Sequence, residues 1–275
     1  MKTLTRGDFV LSYDHQGPAG GETVLFFNGS LSTMASWNPL IRCLIRSGRR
    51  ALLHDQRGQL LSPWNAAFSY GDIAQDAAAL LDETGEKRVH VVGISYGSVS
   101  AQTFAADYPE RTASLLLISA FSEMDANTEA WVRRFVAWGS DAVEHPDARR
   151  KVYENMAPLF FGPAYAEANA SSVQAAADAF AGYPKGFFQG MIRIFENQLA
   201  NTPVTGNLGR ISCPTLVVHA ERDVLTPWFL SEIILDNIPG AEALRIPEAG
   251  HAVNAEQPGL LDGIITGFVT RHGST

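Results

Sequence analysis

The chain places one serine between two glycines, Gly93-Ile94-Ser95-Tyr96-Gly97. There an apolar β-branched run, Val89 to Ile94, gives way to a helix-compatible stretch. G-x-S-x-G at such a boundary is the pattern of a nucleophile elbow, a tight strained turn that lifts the hydroxyl above the sheet edge. Side chains at 93 and 97 would crowd the following helix, which is why glycine fits both positions. The helix N-terminus behind the serine favours negative charge. The bland alternative is an ordinary glycine-rich turn, and the flanking strand and helix weigh against it.

A serine hydroxyl is a weak nucleophile until a base takes its proton. Of the seven histidines, His251 follows Gly250 in a loop after "ALRIPEAG", where it can reach the rim of a sheet. His90 lies within a strand and His219 near the end of one, which suits packed or rim histidines, and His272 falls in the tail. The base in turn needs an orienting carboxylate. Asp223 stands just past the apolar run "TLVVHA", with Glu221 nearer the strand end and Asp125 as a more distant competitor. The order Ser95, Asp223, His251 is that of one of the serine-nucleophile folds, and each residue follows a predicted strand. Acyl chemistry also requires donors for a tetrahedral oxyanion. The amide of Tyr96 follows the nucleophile, and the loop Asn28-Gly29-Ser30-Leu31 after "TVLFF" offers a second, assigned to Ser30 ahead of Leu31.

These residues need a scaffold that brings distant segments to one edge. Strands are predicted at "FVLSYDHQG", "ETVLFFNG", "ALLHD", 89–94, "SLLLISAF", "CPTLVVHAERD" and "EALRIPEAGH". Helical spacing marks one element over "MASWNPLIRCLIRSG" and others over 69–83, about 98–107 and about 260–271. Apolar strands alternating with amphipathic helices predict an α/β fold, a mostly parallel sheet covered on both faces. The alternation stops after Phe121 and returns near residue 206. The segment 122–205 is helical in character and rich in Ala, Phe and Trp. It reads as a cap inserted into a core formed by 1–121 and 206–275. Its aromatics suit either an apolar acyl pocket or the cap's own core, and Lys185-Gly186-Phe187-Phe188 is a candidate entrance.

At 275 residues the chain can bury such a core. A net charge of −8 argues against a nucleic-acid partner. Two cysteines, Cys43 and Cys213, give no disulfide framework and read as reduced thiols. "MKTLTRGDFV" lacks the apolar core of a signal peptide, and no apolar run is long enough to span a membrane, so a cytoplasmic location is expected. No cofactor is expected. There is no G-x-x-x-x-G-K-S/T or G-x-G-x-x-G phosphate loop, and no histidine or cysteine spacing that suits a metal.

With these residues in view, most of the chain resembles the α/β-hydrolase family. The resemblance runs through "LFFNGSLSTMASW", "LLHDQRG", "VVGISYGSVSAQTFAADYPERTASLLLISA", "CPTLVVHAERDVLTP" and "IPEAGHAVNAEQP". It implies an α/β-hydrolase fold with a helical cap after the sixth strand and a catalytic triad of Ser95, Asp223 and His251. It also implies an oxyanion loop at Asn28-Gly29-Ser30 and a D-x-R-G turn at Asp55-Gln56-Arg57-Gly58. Two positions depart from the family's pattern. Asn28-Gly29 stands where His-Gly is usual, and Gln59-Leu60-Leu61-Ser62 follows "DQRG" in place of a small glycine-containing stretch. The loop and "ISAFSEMDAN" are also similar to a branch holding the hydroxyacyl-carrier-protein transacylases and rhamnolipid-precursor acyltransferases. The H-x4-D motif associated with the transacylases is absent, since no aspartate stands five positions after any histidine. The expected activity is hydrolysis of an ester or thioester of a hydrophobic acyl substrate. Acyl transfer from a thioester carrier to an alcohol or thiol, and a non-catalytic binding protein on the same fold, are the alternatives.

Overall fold

A computed structural model describes residues 1–273. Eight strands form one sheet: β1 (Lys2–Arg6), β2 (Phe9–Gln16), β3 (Thr23–Phe27), β4 (Arg50–His54), β5 (Val89–Ile94), β6 (Thr112–Ile118), β7 (Thr215–Ala220) and β8 (Glu242–Ile246). Their order is β1-β2-β4-β3-β5-β6-β7-β8. The first two strands run antiparallel to their neighbours, and all others pair in parallel. The helices are α1 (Arg42–Arg46), α2 (Tyr70–Thr84), α3 (Tyr96–Asp107), α4 (Ala126–Glu144), α5 (Arg149–Phe160), α6 (Pro163–Ala168), α7 (Ala170–Ala181), α8 (Lys185–Asn201), α9 (Trp228–Asn237), α10 (Val253–Glu256) and α11 (Pro258–Arg271). None of them is long and apolar enough to cross a membrane.

The central strands read as continuous apolar runs because both faces are covered. Leu25, Phe27, Val91, Leu115, Leu117 and Val217 pack toward α2, α3 and α9. The alternate residues Val24, Phe26, Val92, Leu116, Ile118 and Val218 pack toward the 34–46 segment and α11. Ser69 begins α2 with a reciprocal cap, its side chain accepting from the Asp72 amide while the Asp72 carboxylate accepts from the Ser69 amide.

Three local expectations differ from the structure. The single helix over 34–48 is a 3-10 helix, Met34–Leu40, followed by the short α1. Pro39 supplies no amide hydrogen for an α-helical ladder at that point. The terminal segment 2–6 forms an additional strand, paired with β2 through a turn at Gly7. Phe187 and Phe188 are buried among Phe180, Val152 and Met156 in the core of the helical segment, while Lys185 and Gly186 are exposed. Phe187 and Phe188 therefore serve packing.

Buried histidines with lowered pKa values, His54 and His90 foremost, are expected to make the fold acid-sensitive. His54 at the end of β4 packs edge-on against Phe27, and neither ring nitrogen has a hydrogen-bond partner among the described residues. Burial pushes its pKa down from 6.5 to about 4. His90 in β5 is paired with the Ser114 hydroxyl, and burial likewise lowers it to about 4. Between these values the unfolded chain binds more protons than the folded one, so stability rises with pH there. Each shift corresponds to about 3 kcal/mol lost as pH falls from 7 to 4. Thermal unfolding followed by circular dichroism is expected to show a level Tm above pH 7 and a steep fall below pH 6.5. His54→Leu should flatten that fall, and an unchanged pH profile would assign the acid sensitivity elsewhere.

Candidate active site

The site stands at the C-terminal ends of the parallel strands, where four loops converge. The first is the elbow. Helix α3 begins directly after Ser95, two residues earlier than its apolar spacing suggests. Ser95 has φ 52° and ψ −121°, a left-handed conformation that is costly for any residue with a side chain. A Cβ on Gly97 would collide with the carbonyl oxygens of Phe27 and Asn28, and one on Gly93 with the Gly97 carbonyl and the Ala101 side chain. The Ser95 amide donates to the Ile118 carbonyl at 2.9 Å, fixing the turn to β6.

The second and third loops follow β7 and β8. Asp223 Oδ1 accepts from the amides of Leu225 and Thr226, both at 2.9 Å, and Oδ2 accepts from the Thr226 hydroxyl at 2.7 Å. Oδ2 also lies 2.8 Å from His251 Nδ1, and His251 Nε2 lies 2.8 Å from Ser95 Oγ. An ionised carboxylate only accepts, so Nδ1 carries the hydrogen and Nε2 is left to accept from the serine hydroxyl. Burial alone would raise the Asp223 pKa. The nearby His251 and the hydrogen bonds from His251 and Thr226 outweigh it and hold the carboxyl below the ordinary 3.8.

The His251 loop is fastened from two sides. The Ser119 hydroxyl donates to the His251 carbonyl at 3.1 Å. Glu256 Oε1 accepts from the amides of Gly250 at 3.0 Å and Gly162 at 2.8 Å, and the Ala252 amide donates to the Phe160 carbonyl. Thr226, Ser119 and Glu256 were not singled out in the sequence. Only Thr226 left a local trace, three positions past an aspartate as in a turn whose carboxylate accepts its own backbone amides.

The fourth loop follows β3. The amides of Ser30 and Leu31 have no acceptor among the described residues, and Tyr96, as the first residue of α3, has none within its helix. Asn28 holds this loop from beneath. Its side-chain amide donates to the His54 carbonyl and to Gln59 Oε1, both at 2.8 Å, and Asn28 Oδ1 accepts from the Trp37 indole at 2.7 Å. Gln59 Nε2 donates to the Gly29 carbonyl and Gln56 Nε2 to the Asn28 carbonyl, each at 2.8 Å. The two departures noted in the sequence, at 28 and 59, are thus hydrogen-bonded to each other. Below them Arg57 lies over the Phe9 ring and pairs with buried Asp76 at 2.6 Å, anchoring the turn that carries Gln59.

Ser95, Asp223 and His251 therefore meet in one hydrogen-bonded chain, with Tyr96 and Ser30 beside the serine. The competing residues stand apart. Glu221 is exposed near Arg245, Asp125 caps α4 through the Thr128 amide, and His219 is buried against Trp228. Two cavities, of about 300 Å3 and about 30 Å3, border the Ser95 hydroxyl, the imidazole and Ser30.

A mostly parallel sheet, a serine on a strained strand-to-helix turn and a buried His-Asp pair beside it define an enzyme scaffold of the hydrolase class. A family model described as the alpha/beta hydrolase fold matches residues 22–258, and the chain belongs to that family. It is 31% identical over 269 residues to a putative carbamate hydrolase, RutD, of Variovorax paradoxus, covering 95% of this chain and 96% of that one. It is 26% identical to a putative non-heme bromoperoxidase, BpoC, of Mycobacterium tuberculosis, covering 90% and 93% of the two chains. In fold it is similar to MGS-M2, an alpha/beta hydrolase enzyme from a Medee basin deep-sea metagenome library. That comparison has a TM-score of 0.90 at 20% identity and covers 100% of this chain and 99% of the other.

Proposed function

We propose that the protein is a serine hydrolase that cleaves an ester or thioester of a hydrophobic substrate through an acyl-enzyme. The observation that carries this reading is the unbroken hydrogen-bonded path from Ser95 Oγ through His251 to Asp223. His251 Nε2 takes the serine proton as Oγ attacks the carbonyl carbon. The oxyanion forms against the amides of Tyr96 and Ser30, and Asp223 steadies the imidazolium. His251 returns the proton to the leaving oxygen or sulfur, and water, deprotonated in turn by His251, releases the acid. Helices α4 to α8 act as the lid that excludes bulk water from this step. A fluorophosphonate should label the protein at one position, and peptide mass spectrometry should place the label on Ser95. A catalytically competent protein that resists labelling would dispose of the reading.

The 31% identity to a putative carbamate hydrolase favours a second reading, in which the acyl group is a carbamoyl. The same residues would carry it, because a carbamoyl-serine forms and hydrolyses through the same oxyanion. Carbon dioxide and ammonia release from simple carbamate esters would distinguish it from ester hydrolysis.

The Asn28–Gln59 pair becomes a positioning device in this mechanism, since it sets where the Ser30 amide points. Gln59→Met keeps the volume and removes all three side-chain hydrogen bonds, to the Asn28 side chain, the Gly29 carbonyl and the Gln56 amide. We expect kcat to fall about ten- to a hundredfold with KM nearly unchanged, because a displaced oxyanion donor affects the transition state alone. A change in KM with constant kcat would assign the pair to substrate binding instead.

A further inference from the structure

Helix α8 belongs to two cores at once. Phe187, Phe188, Met191 and Phe195 pack within the helical segment, whereas Ile194 packs with the apolar residues of α2 and α3 that cover the sheet. The face turned to the sheet side is a single stripe of Gly190, Ile194, Asn197 and Asn201, spaced as neighbours on successive turns of a helix. Each of them leads to one of the proposed oxyanion donors. A Cβ on Gly190 would run into the Gly58 carbonyl oxygen, and one on Gly58 would meet the Ile194 side chain at 3.3 Å. Gly58 precedes Gln59, whose side-chain amide holds the Gly29 carbonyl. Further along the stripe, buried Asn197 donates from Nδ2 to the Tyr96 hydroxyl at 2.8 Å. Asn201 Nδ2 donates to Asn197 Oδ1 at 2.8 Å, which fixes the way the Asn197 amide faces.

Resting on the serine-hydrolase reading, we propose that this face of α8 positions both oxyanion donors, with Asn197 acting on the Tyr96 amide through the Tyr96 side chain. The peptide between Ser95 and Tyr96 carries that amide. Its orientation depends on Ser95, held at φ 52° and ψ −121°. A backbone so strained relaxes unless its surroundings over-determine it. The Tyr96 side chain supplies the constraint. Its ring is buried beside Tyr70, with centroids 5.3 Å apart, and its hydroxyl is fixed by Asn197. Rotating the 95–96 peptide would drag a buried phenol off its partner and leave two polar groups unpaired, which burial makes costly. The contact of Gly190 with Gly58 acts on the other donor. There backbone meets backbone, with no side chain to yield, so a shift of α8 moves Gly58, Gln59 and the loop that carries the Ser30 amide. His251 and Asp223 take no part in these contacts, so the base should titrate unchanged when they are broken.

Tyr96→Phe removes the hydroxyl and leaves the ring against Tyr70, and Asn197→Leu removes the donor at nearly constant volume. With p-nitrophenyl acetate each is expected to lower kcat about tenfold with KM nearly unchanged. The double variant should fall no further, because both changes act on one amide. Phenylboronic acid, whose tetrahedral serine adduct sets an oxygen where the oxyanion forms, should bind the same variants about tenfold more weakly. The pH profile of kcat should keep its wild-type shape. Arg193→Gln, on the solvent side of α8, should leave kcat at the wild-type value. A contact that serves only the fold would lower Tm and leave kcat and boronate affinity of the folded protein unchanged. That result, or losses that multiply in the double variant, would overturn the proposal. Fluorophosphonate labelling of wild-type Ser95 separates the two readings. A labelled wild type with fully active variants removes the positioning role and leaves the hydrolase standing, whereas a wild type neither labelled nor active removes both. Should Asn197→Leu not fold, Tyr96→Phe and its boronate affinity decide the question.

Discussion

Ser95→Ala is expected to fold normally and to lose about 10^5- to 10^6-fold in kcat on any ester the wild type hydrolyses. The magnitude follows from the roles. Without the hydroxyl there is no acyl-enzyme, and His251 and Asp223 have nothing to activate, so removing the serine removes the work of all three. What remains is a site that binds the substrate and offers amides to an oxyanion formed by water, worth about 10^3- to 10^4-fold over the uncatalysed reaction. The fold should survive because Ser95 makes its scaffold contact through the backbone, the amide bonded to Ile118, and among the described residues its side chain hydrogen-bonds only to the imidazole. The φ of 52° stays strained in alanine but not in glycine. Ser95→Gly should therefore be equally inactive yet more stable, by about 1–2 kcal/mol, readable as a raised Tm. Inactivity with a gain in stability is the signature of a residue kept for chemistry. If both variants retain turnover, the serine is a structural turn and other groups carry the catalysis.

Ser95 and Asp223 were legible because each follows a run that only a buried strand would contain. Val89–Ile94 and Thr215–Ala220 are buried throughout and announce where loops begin, whereas Glu242–Ile246 before the His251 loop is exposed up to Ile246, and the rim of a parallel sheet is where these loops meet. The elbow was legible for a different reason, since two collisions with backbone exclude side chains at 93 and 97. What escaped was tertiary in origin. β1 is polar and mostly exposed, so it carries no apolar signature, and its existence depends on pairing with β2. The helix over 34–48 has the spacing of one face, yet a proline without an amide hydrogen splits it. Phe187 and Phe188 have the composition of a pocket wall, but α8 turns them into the helical core. Asn28 and Gln59 looked like separate departures, because nothing local shows that residues 31 positions apart share a hydrogen bond. Ser119 and Glu256 act on His251 through its backbone and its loop, and short-range patterns do not encode such contacts.

Asp223→Asn carries the second-largest expected effect, a fall in kcat of about 10^3- to 10^4-fold with KM little changed. An asparagine at 223 keeps the shape and can still accept from the Leu225 and Thr226 amides. It can also place its amide hydrogens toward His251 Nδ1, which then accepts, and the hydrogen moves to Nε2 to face Ser95 Oγ. The base is then presented with the wrong nitrogen protonated, and no charge compensates the imidazolium. The pH dependence gives a second readout. The Asp223 carboxyl is held below 3.8, so the wild type keeps this charge throughout the pH range in which the fold survives. Its contribution to stability is present above that value and declines only as pH falls through the lowered one. The Asp223 carboxylate itself therefore adds no slope to the stability of the wild type between pH 8 and 5. Glu221→Gln supplies the control, since Glu221 stands at the same strand end with its carboxylate exposed. If the two variants lose activity equally, the effect is one of surface charge near the site. If only Asp223→Asn does, the imidazole depends on the buried carboxylate to hold its proton on the far nitrogen.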